Sequence, residues 1–326
     1  MARPVKRSTS QDVARAAGVS RTTVSFVLNN TPGQLIPAET RRRVIDAAQR
    51  LDYHPHASAR TLAAGRSDVV LLAIPDLPIG PGISRFVEEL ATALAAHGLT
   101  LVIHVAAGHG RPLPDVCASI DASAVIGFDP FDRETVKTLH RAGADVVIPA
   151  DNPGTPPATA EIGRFQANHL ISRGHRRIGY ALPAHPGFRK MAEGRLRSVT
   201  DACAAAGLDA PVVVSTSLEI ADAARAVTQW TGNAVTGICA FNDETAIAVL
   251  AGMREHGLIA PDDLAVIGAD DIPTARLATP PLTTVHFDLH QVGKQRAEAV
   301  VAGLSGDDCQ PTFVPIIPRL VQRAST

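Results

Sequence analysis

A chain of 326 residues, 45% hydrophobic and 19% charged, has room for about two domains at ~150 residues each and enough apolar side chains for packed cores, which excludes a disordered or fibrous protein. No run approaches the ~18 apolar residues of a membrane span, and Arg3, Lys6 and Arg7 precede no apolar leader, so a cytoplasmic protein without a membrane partner is expected. The net charge of −1 hides a division: residues 1–66 hold 11 Lys and Arg against 4 Asp and Glu, whereas the rest holds 20 against 28, the arrangement of a nucleic-acid-binding head on an acidic body.

In the head, Ser10 to Ala17 reads as a helix with Val13, Ala14 and Ala17 on one stripe, and Gly18 stands where a helix needs a left-handed residue to stop. Ser20 then caps a second helix, "RTTVSFVLNN", with Val24, Val27 and Leu28 on one face. Two short helices joined by such a turn form a helix-turn-helix, whose second helix enters the major groove. Phe26 falls on the outer face with Thr22 and Asn29, which leaves two uses: apolar contact with a base, such as a thymine methyl, or packing back on the head. A third helix, about Pro37 to Leu51, places Val44, Ala48 and Leu51 inward and displays Arg41, Arg42 and Arg43. The segment "PHASARTLAAGRS" that follows is too short to hold a helix alone.

From Asp68 onward eight short apolar runs, from "VVLLAIP" to "LAVIGAD", alternate with helical stretches such as "ISRFVEELATALAAHG". Buried parallel strands alternating with helices predict an α/β body of doubly wound sheets, with ligands beyond the carboxyl ends of the strands. Cys117, Cys203, Cys239 and Cys309 lack C-x-x-C spacing and read as buried free thiols. No hydrolase, zincin, P-loop or dinucleotide motif is present, and His54 and His56 have only Asp52 beside them, so neither catalysis nor a metal or cofactor is expected.

The strings "QDVARAAGVSRTTVSFVLN" and "ETRRRVIDAAQRLDYHPHASARTLAAGRS" resemble the headpiece of the LacI/GalR transcription regulators. Further along, "SRGHRRIGY", "FNDETAIAVLAGMREHGLIAPDDLAVIGADDIP" and "TPPLTTV" resemble their body, so the likeness covers essentially the whole chain. It implies a helix-turn-helix headpiece over 1–54, a hinge helix over 55–66, and a two-lobed periplasmic-binding-protein-like body over 67–326. The N-lobe would take about 67–158 and 288–314, and the C-lobe about 159–287 and 315–326. It also implies that Arg21, Thr22 and Phe26 read major-groove bases, while Thr9, Ser20, Ser25 and Asn29 contact the DNA backbone or support the helix. In the hinge, His56, Ala59 and Leu62 would meet the minor groove, with Leu62 as an apolar wedge that bends the duplex. The partners implied are double-stranded operator DNA, a second copy of the chain as a homodimer, and a small-molecule effector such as a sugar or related polar metabolite.

At the family's effector positions stand Arg195, Asn242 and Asp270. Their bland alternatives are an ion pair of Arg195 with Glu193 or another surface acid, a helix cap by Asn242 and a turn cap by Asp270. The first lobe departs from the family in "PDLPIGPGISRF" and "ATAEIG", and aromatic residues make up only 4% of the chain. Phe86, Phe128 and Phe131 are candidate cleft residues, with core packing as their commoner use. A more apolar effector, or a regulator without one, are the alternatives this leaves, beside a solute-binding protein.

Overall fold

A computed structural model describes residues 8–28, 34–53, 66–106, 110–150, 160–306 and 315–326. The head consists of α1 (Ser10–Ala17), α2 (Arg21–Leu28) and α3 (Ala38–Arg50). Thr9 starts α1 through a reciprocal capping box with Asp12. Ser20 Oγ accepts from the Thr23 N–H at 3.1 Å and starts α2. Between them Gly18, at φ +66°, takes the left-handed conformation that a Cβ would strain. With the turn so fixed, Val13, Ala14 and Ala17 meet Val24, Val27, Val44, Ala47 and Ala48 in one small core, closed at its edge by Val19, Leu28, Leu51 and Tyr53.

The body opens with β1 (Val69–Ile74), α4 (Pro81–Ala95), β2 (Thr100–Val105), α5 (Leu113–Ser119), β3 (Ala124–Phe131), α6 (Arg133–Arg141) and β4 (Val146–Ala150). Its strands form a parallel sheet in the order β2-β1-β3-β4. Alternation along β1 sends Val70, Leu72 and Ile74 toward Phe86, Leu90 and Leu94 of α4, and Leu71 toward Cys117 of α5 and Leu139 of α6. Burial of both faces is why the strand reads as an unbroken apolar run.

A second sheet follows from α7 (Ala160–Ser172), β5 (Ile178–Pro183), α8 (Arg189–Ala205), β6 (Val212–Thr216), α9 (Ile220–Gly232), β7 (Gly237–Ala240), α10 (Asp243–Glu255), β8 (Ala265–Ala269) and β9 (Thr283–His286). One face carries Trp230 of α9 and Val249 and Met253 of α10; the other carries Leu170 of α7 with Val199 and Cys203 of α8. After His286 the chain crosses to the first sheet, where α11 (Leu289–Ser305) contributes Ala297, Val300 and Leu304 to the same core as α4. It then returns as β10 (Arg319–Val321), antiparallel to β9, to complete the order β10-β9-β8-β7-β5-β6.

The strands β9 and β10 lie beyond the eight runs seen in the sequence. "TTVH" and "RLV" are short, and they become strands because β8 offers its edge to β9 and β9 then offers its own to β10. Cys117, Cys203 and Cys239 are buried and free. Asn29, His54, His56, Ala59, Leu62, Cys309 and the whole span expected to form the hinge helix, apart from Arg66, lie outside the described residues.

Candidate functional site

Two surfaces carry the chemistry. The first is the outer face of α2, where Val24 and Val27 turn inward and leave Arg21, Thr22 and Ser25 exposed. Phe26 is half-buried and stands outside the apolar cluster of the head, so its ring does not fill that core. Thr9 and Ser20 use their hydroxyls as helix caps. Arg42 and Arg43 of α3 are exposed nearby in sequence, in a head whose charge is strongly positive.

The second is a cleft of about 660 Å³, mouth included, between the two sheets. The loop after β1 supplies Pro78 and Gly80, β3 itself supplies Phe128, α4 supplies Ile83 and Phe86, and the segments after β5, β7 and β8 supply Phe188, Phe241, Asn242 and Asp270. The cleft therefore sits at the carboxyl ends of both sets of strands, where open α/β sheets bind ligands. Phe86 meets Phe128 edge to face at 6.1 Å, and both line the cleft. Phe131 does not; it packs on the far side of the first sheet with Leu71 and Val125.

Arg195, only 3% exposed, is held on α8 at the cleft wall. One Nη donates to the Phe241 carbonyl and the other to Asp270 Oδ1 at 3.3 Å, while the guanidinium carbon lies 4.7 Å from the centre of the Phe241 ring. Its partner is thus Asp270 rather than Glu193 or another surface acid. Asn242 does cap a helix: its Oδ1 accepts from the Thr245 N–H at 2.9 Å and the Thr245 hydroxyl at 2.7 Å, within the cleft wall. Asp270 follows β8 at φ +96°, a conformation that short polar side chains tolerate best. The lobes also touch: the backbone of Gly187 lies against Asp76 and Leu77, and Arg85 Nη1 donates to the Asp271 carbonyl at 3.3 Å.

The structure adds residues that the sequence did not single out. Phe241 and Asp243 flank Asn242, and Glu244 follows, all inside the quoted "FNDE", so the signal was there; Phe188 and Phe287 come from connections with no periodic pattern. Asp243 is fully buried and accepts from the Ile272 N–H at 2.8 Å and from the Thr284 hydroxyl. Burial pushes its carboxyl up to about 8, with Asp270 and Asp271 acting in the same direction and the Thr284 bond opposing. A carboxyl raised on folding binds a proton that the unfolded chain has released, so its contribution to stability falls as pH rises from about 4 to about 8. Asp243→Asn keeps the acceptor for Ile272 and is expected to flatten the fall in Tm between about pH 5 and pH 8. An equally steep fall in the variant would assign the titration to another group.

Among the described residues no helix is long and apolar enough to cross a membrane, and no group of three or more His, Cys, Asp and Glu is placed to hold a metal ion. Residues 9–56 match the family described as bacterial regulatory proteins, lacI family, and residues 167–326 match the periplasmic binding protein-like domain. The HTH-type transcriptional regulator GalS of Salmonella typhimurium is 30% identical over 97% of this chain and 96% of its own. The HTH-type transcriptional regulator DegA of Bacillus subtilis is 29% identical over 98% of each. In fold, the chain resembles the Lac repressor dimer bound to operator and the anti-inducer ONPF, with a TM-score of 0.79 and 23% identity over 98% of this chain and 99% of that one. It also resembles the transcriptional regulator CelR in complex with cellobiose, with a TM-score of 0.67 and 24% identity over 98% and 100%.

Proposed function

Because this chain belongs to the LacI/GalR family of bacterial transcriptional regulators, we propose that it acts in the cytoplasm as a homodimeric repressor that binds a near-palindromic operator and responds to a small molecule in the cleft. It is a DNA-binding regulator and not an enzyme. The observation that carries the reading is the division of α2 into a buried valine face and an outward face of Arg21, Thr22, Ser25 and Phe26. A helix of a stable three-helix head has no structural need of that outward arginine and ring. Arg21 can fork onto a guanine, and Phe26 can lie against a thymine methyl. We assign the headpiece to 1–54, the hinge to 55–66 and the body to 67–326, with Leu62 as the wedge at the centre of the operator.

In this scheme the ligand acts only if it binds one arrangement of the lobes more tightly than another. Arg195, Asn242, Asp270, Phe86 and Phe128 are the proposed effector contacts. A change in the lobes alters the spacing of the two hinges and so the affinity of the paired headpieces for DNA.

Selection of bound duplexes from a random pool is expected to return a two-fold symmetric site. Arg21→Ala should weaken binding to it by ~1–3 kcal/mol and relax the choice at one base pair of each half-site. Phe26→Arg should change the preferred base at a neighbouring position while the head keeps its stability. Equal binding of random and palindromic duplexes at moderate salt would overturn the regulator reading; an unchanged site with a less stable head would return Phe26 to packing.

A further inference from the structure

We propose that the molecule received by the cleft is a small organic cation: an ammonium group on an apolar body that also carries a hydrogen-bond acceptor. The inference rests on reading the cleft as the effector site and concerns the class of ligand that its chemistry selects.

Most polar groups of the wall are already used. Both Nη groups of Arg195 are committed to the Phe241 carbonyl and to Asp270, the Asn242 oxygen takes two donors from Thr245, and the buried carboxyl of Asp243 takes two donors of its own. What remains is acidic. Asp270 Oδ2 and Glu244 Oε2 look across the cleft at the first lobe, 3.7 Å and 2.8 Å from where side chains would begin on Gly82 and Gly80. Three carboxyl groups stand in the wall against a single guanidinium, which Asp270 already neutralises. Glu244 is half-buried, and its Oε2 accepts one long bond, from Asn242 Nδ2 at 3.4 Å, while among the described residues no cation pairs with it. Burial, and then the Asp270 charge, push its carboxyl upward, the condition that an arriving cation relieves.

The rest of the wall favours the same class. Five phenylalanines, Phe86, Phe128, Phe188, Phe241 and Phe287, line the cleft with no tyrosine or tryptophan among them. Ring faces attract a cation and shelter an apolar body, but they offer nothing to a set of hydroxyl groups. A carboxylate ligand would meet two like charges. The second feature sought in the ligand comes from Arg195, whose Nε–H is buried without an acceptor and calls for an oxygen on the ligand.

Isothermal titration of the full chain with tyramine, whose phenol oxygen can accept from Arg195 Nε, and with 2-(4-hydroxyphenyl)ethanol, 3-(4-hydroxyphenyl)propionate and galactose tests this at neutral pH. The amine should bind roughly tenfold or more tightly than the isosteric alcohol, as expected when one partner of a hydrogen bond becomes charged. Glu244→Gln, which keeps the size and one acceptor, should erase that preference and leave the affinity for the alcohol within about twofold. Preference for galactose or the carboxylate, lost in Arg195→Lys, would overturn the cation and keep the cleft as the effector site. Binding of none of the four probes would overturn the cation as well. An amine preference unaltered in Glu244→Gln and in Arg195→Lys would place binding elsewhere and overturn the cleft reading itself.

Discussion

Arg195→Ala is expected to destabilise the second lobe by about 3–5 kcal/mol and to abolish the response to any compound that releases the wild-type protein from its operator. The side chain is only 3% exposed, and it binds the Phe241 carbonyl, the Asp270 carboxylate and the face of the Phe241 ring at once. Truncation leaves a half-buried carboxylate without its cation and a buried carbonyl without its donor, and these residual costs exceed what the intact pair contributes. Asp270, at φ +96°, would also lose the partner that orients it beside the cleft. The head has a core of its own, so operator binding by the folded variant should persist at temperatures below the unfolding of the body. Arg195→Lys keeps the charge and loses the fork, and should retain most of the stability while weakening the response. The unfolding midpoint in urea, followed beside operator release, separates the two effects. A loss below about 1 kcal/mol in the alanine variant would show that the cleft wall stands without this arginine.

Gly187→Val is expected to hold the lobes apart and to make operator affinity independent of any ligand. A Cβ at Gly187 would fall inside the contact distance of the Asp76 carbonyl oxygen and 2.9 Å from Leu77 Cβ. Two backbones meet there, one from each lobe, and neither has a flexible end that can give way. The residue lies in the short 3-10 turn Pro186–Phe188, next to a ring that packs into the first-lobe core and lines the cleft. Separation therefore removes Phe188 from the site along with the contact. A ligand shifts an equilibrium only by its difference in affinity between two states, and a variant that cannot close has no second state to stabilise. Small-angle scattering should show a larger radius of gyration, and titration should show no ligand-dependent change in operator affinity. Gly232→Ala serves as the control, because a Cβ there meets nothing within 4 Å. Unaltered dimensions and an unaltered response in Gly187→Val would remove this contact from the switching mechanism.

The two surfaces differ in how far they could be read beforehand. On the head, the capping box of Thr9 and Asp12, the left-handed Gly18 and the valine stripe of α2 each act over a few residues, so their pattern in the chain is also their pattern in space. Phe26 could be placed on the outer face for the same reason, and it stands outside the apolar cluster of the head. In the cleft, Asn242 was found but its main bonds are those of a helix cap, while Glu244, two residues on, holds the carboxylate that faces the other lobe. Phe131, a cleft candidate by sequence, belongs to the opposite face, because it stands three residues from Phe128 along β3 and alternation turns it toward Leu71 and Val125.

Near neighbours along the chain settle the helix caps, the turn of the head, the alternation that buries β1 on both faces and the charge that separates head from body. Contacts between distant segments are settled only when the body packs. Arg195 and Asp270 are 75 residues apart and meet because the first half of α8 lies beside the carboxyl end of β8. Phe86, Phe188 and Phe287 line one cleft because the chain crosses between lobes, and β9 and β10 are strands because β8 leaves an edge for β9 and β9 one for β10. Local patterns carry the free energy of local hydrogen bonds and of one buried face. The choice of which faces and ends meet is made by the packing of the whole body, and the cleft exists only once that choice is made.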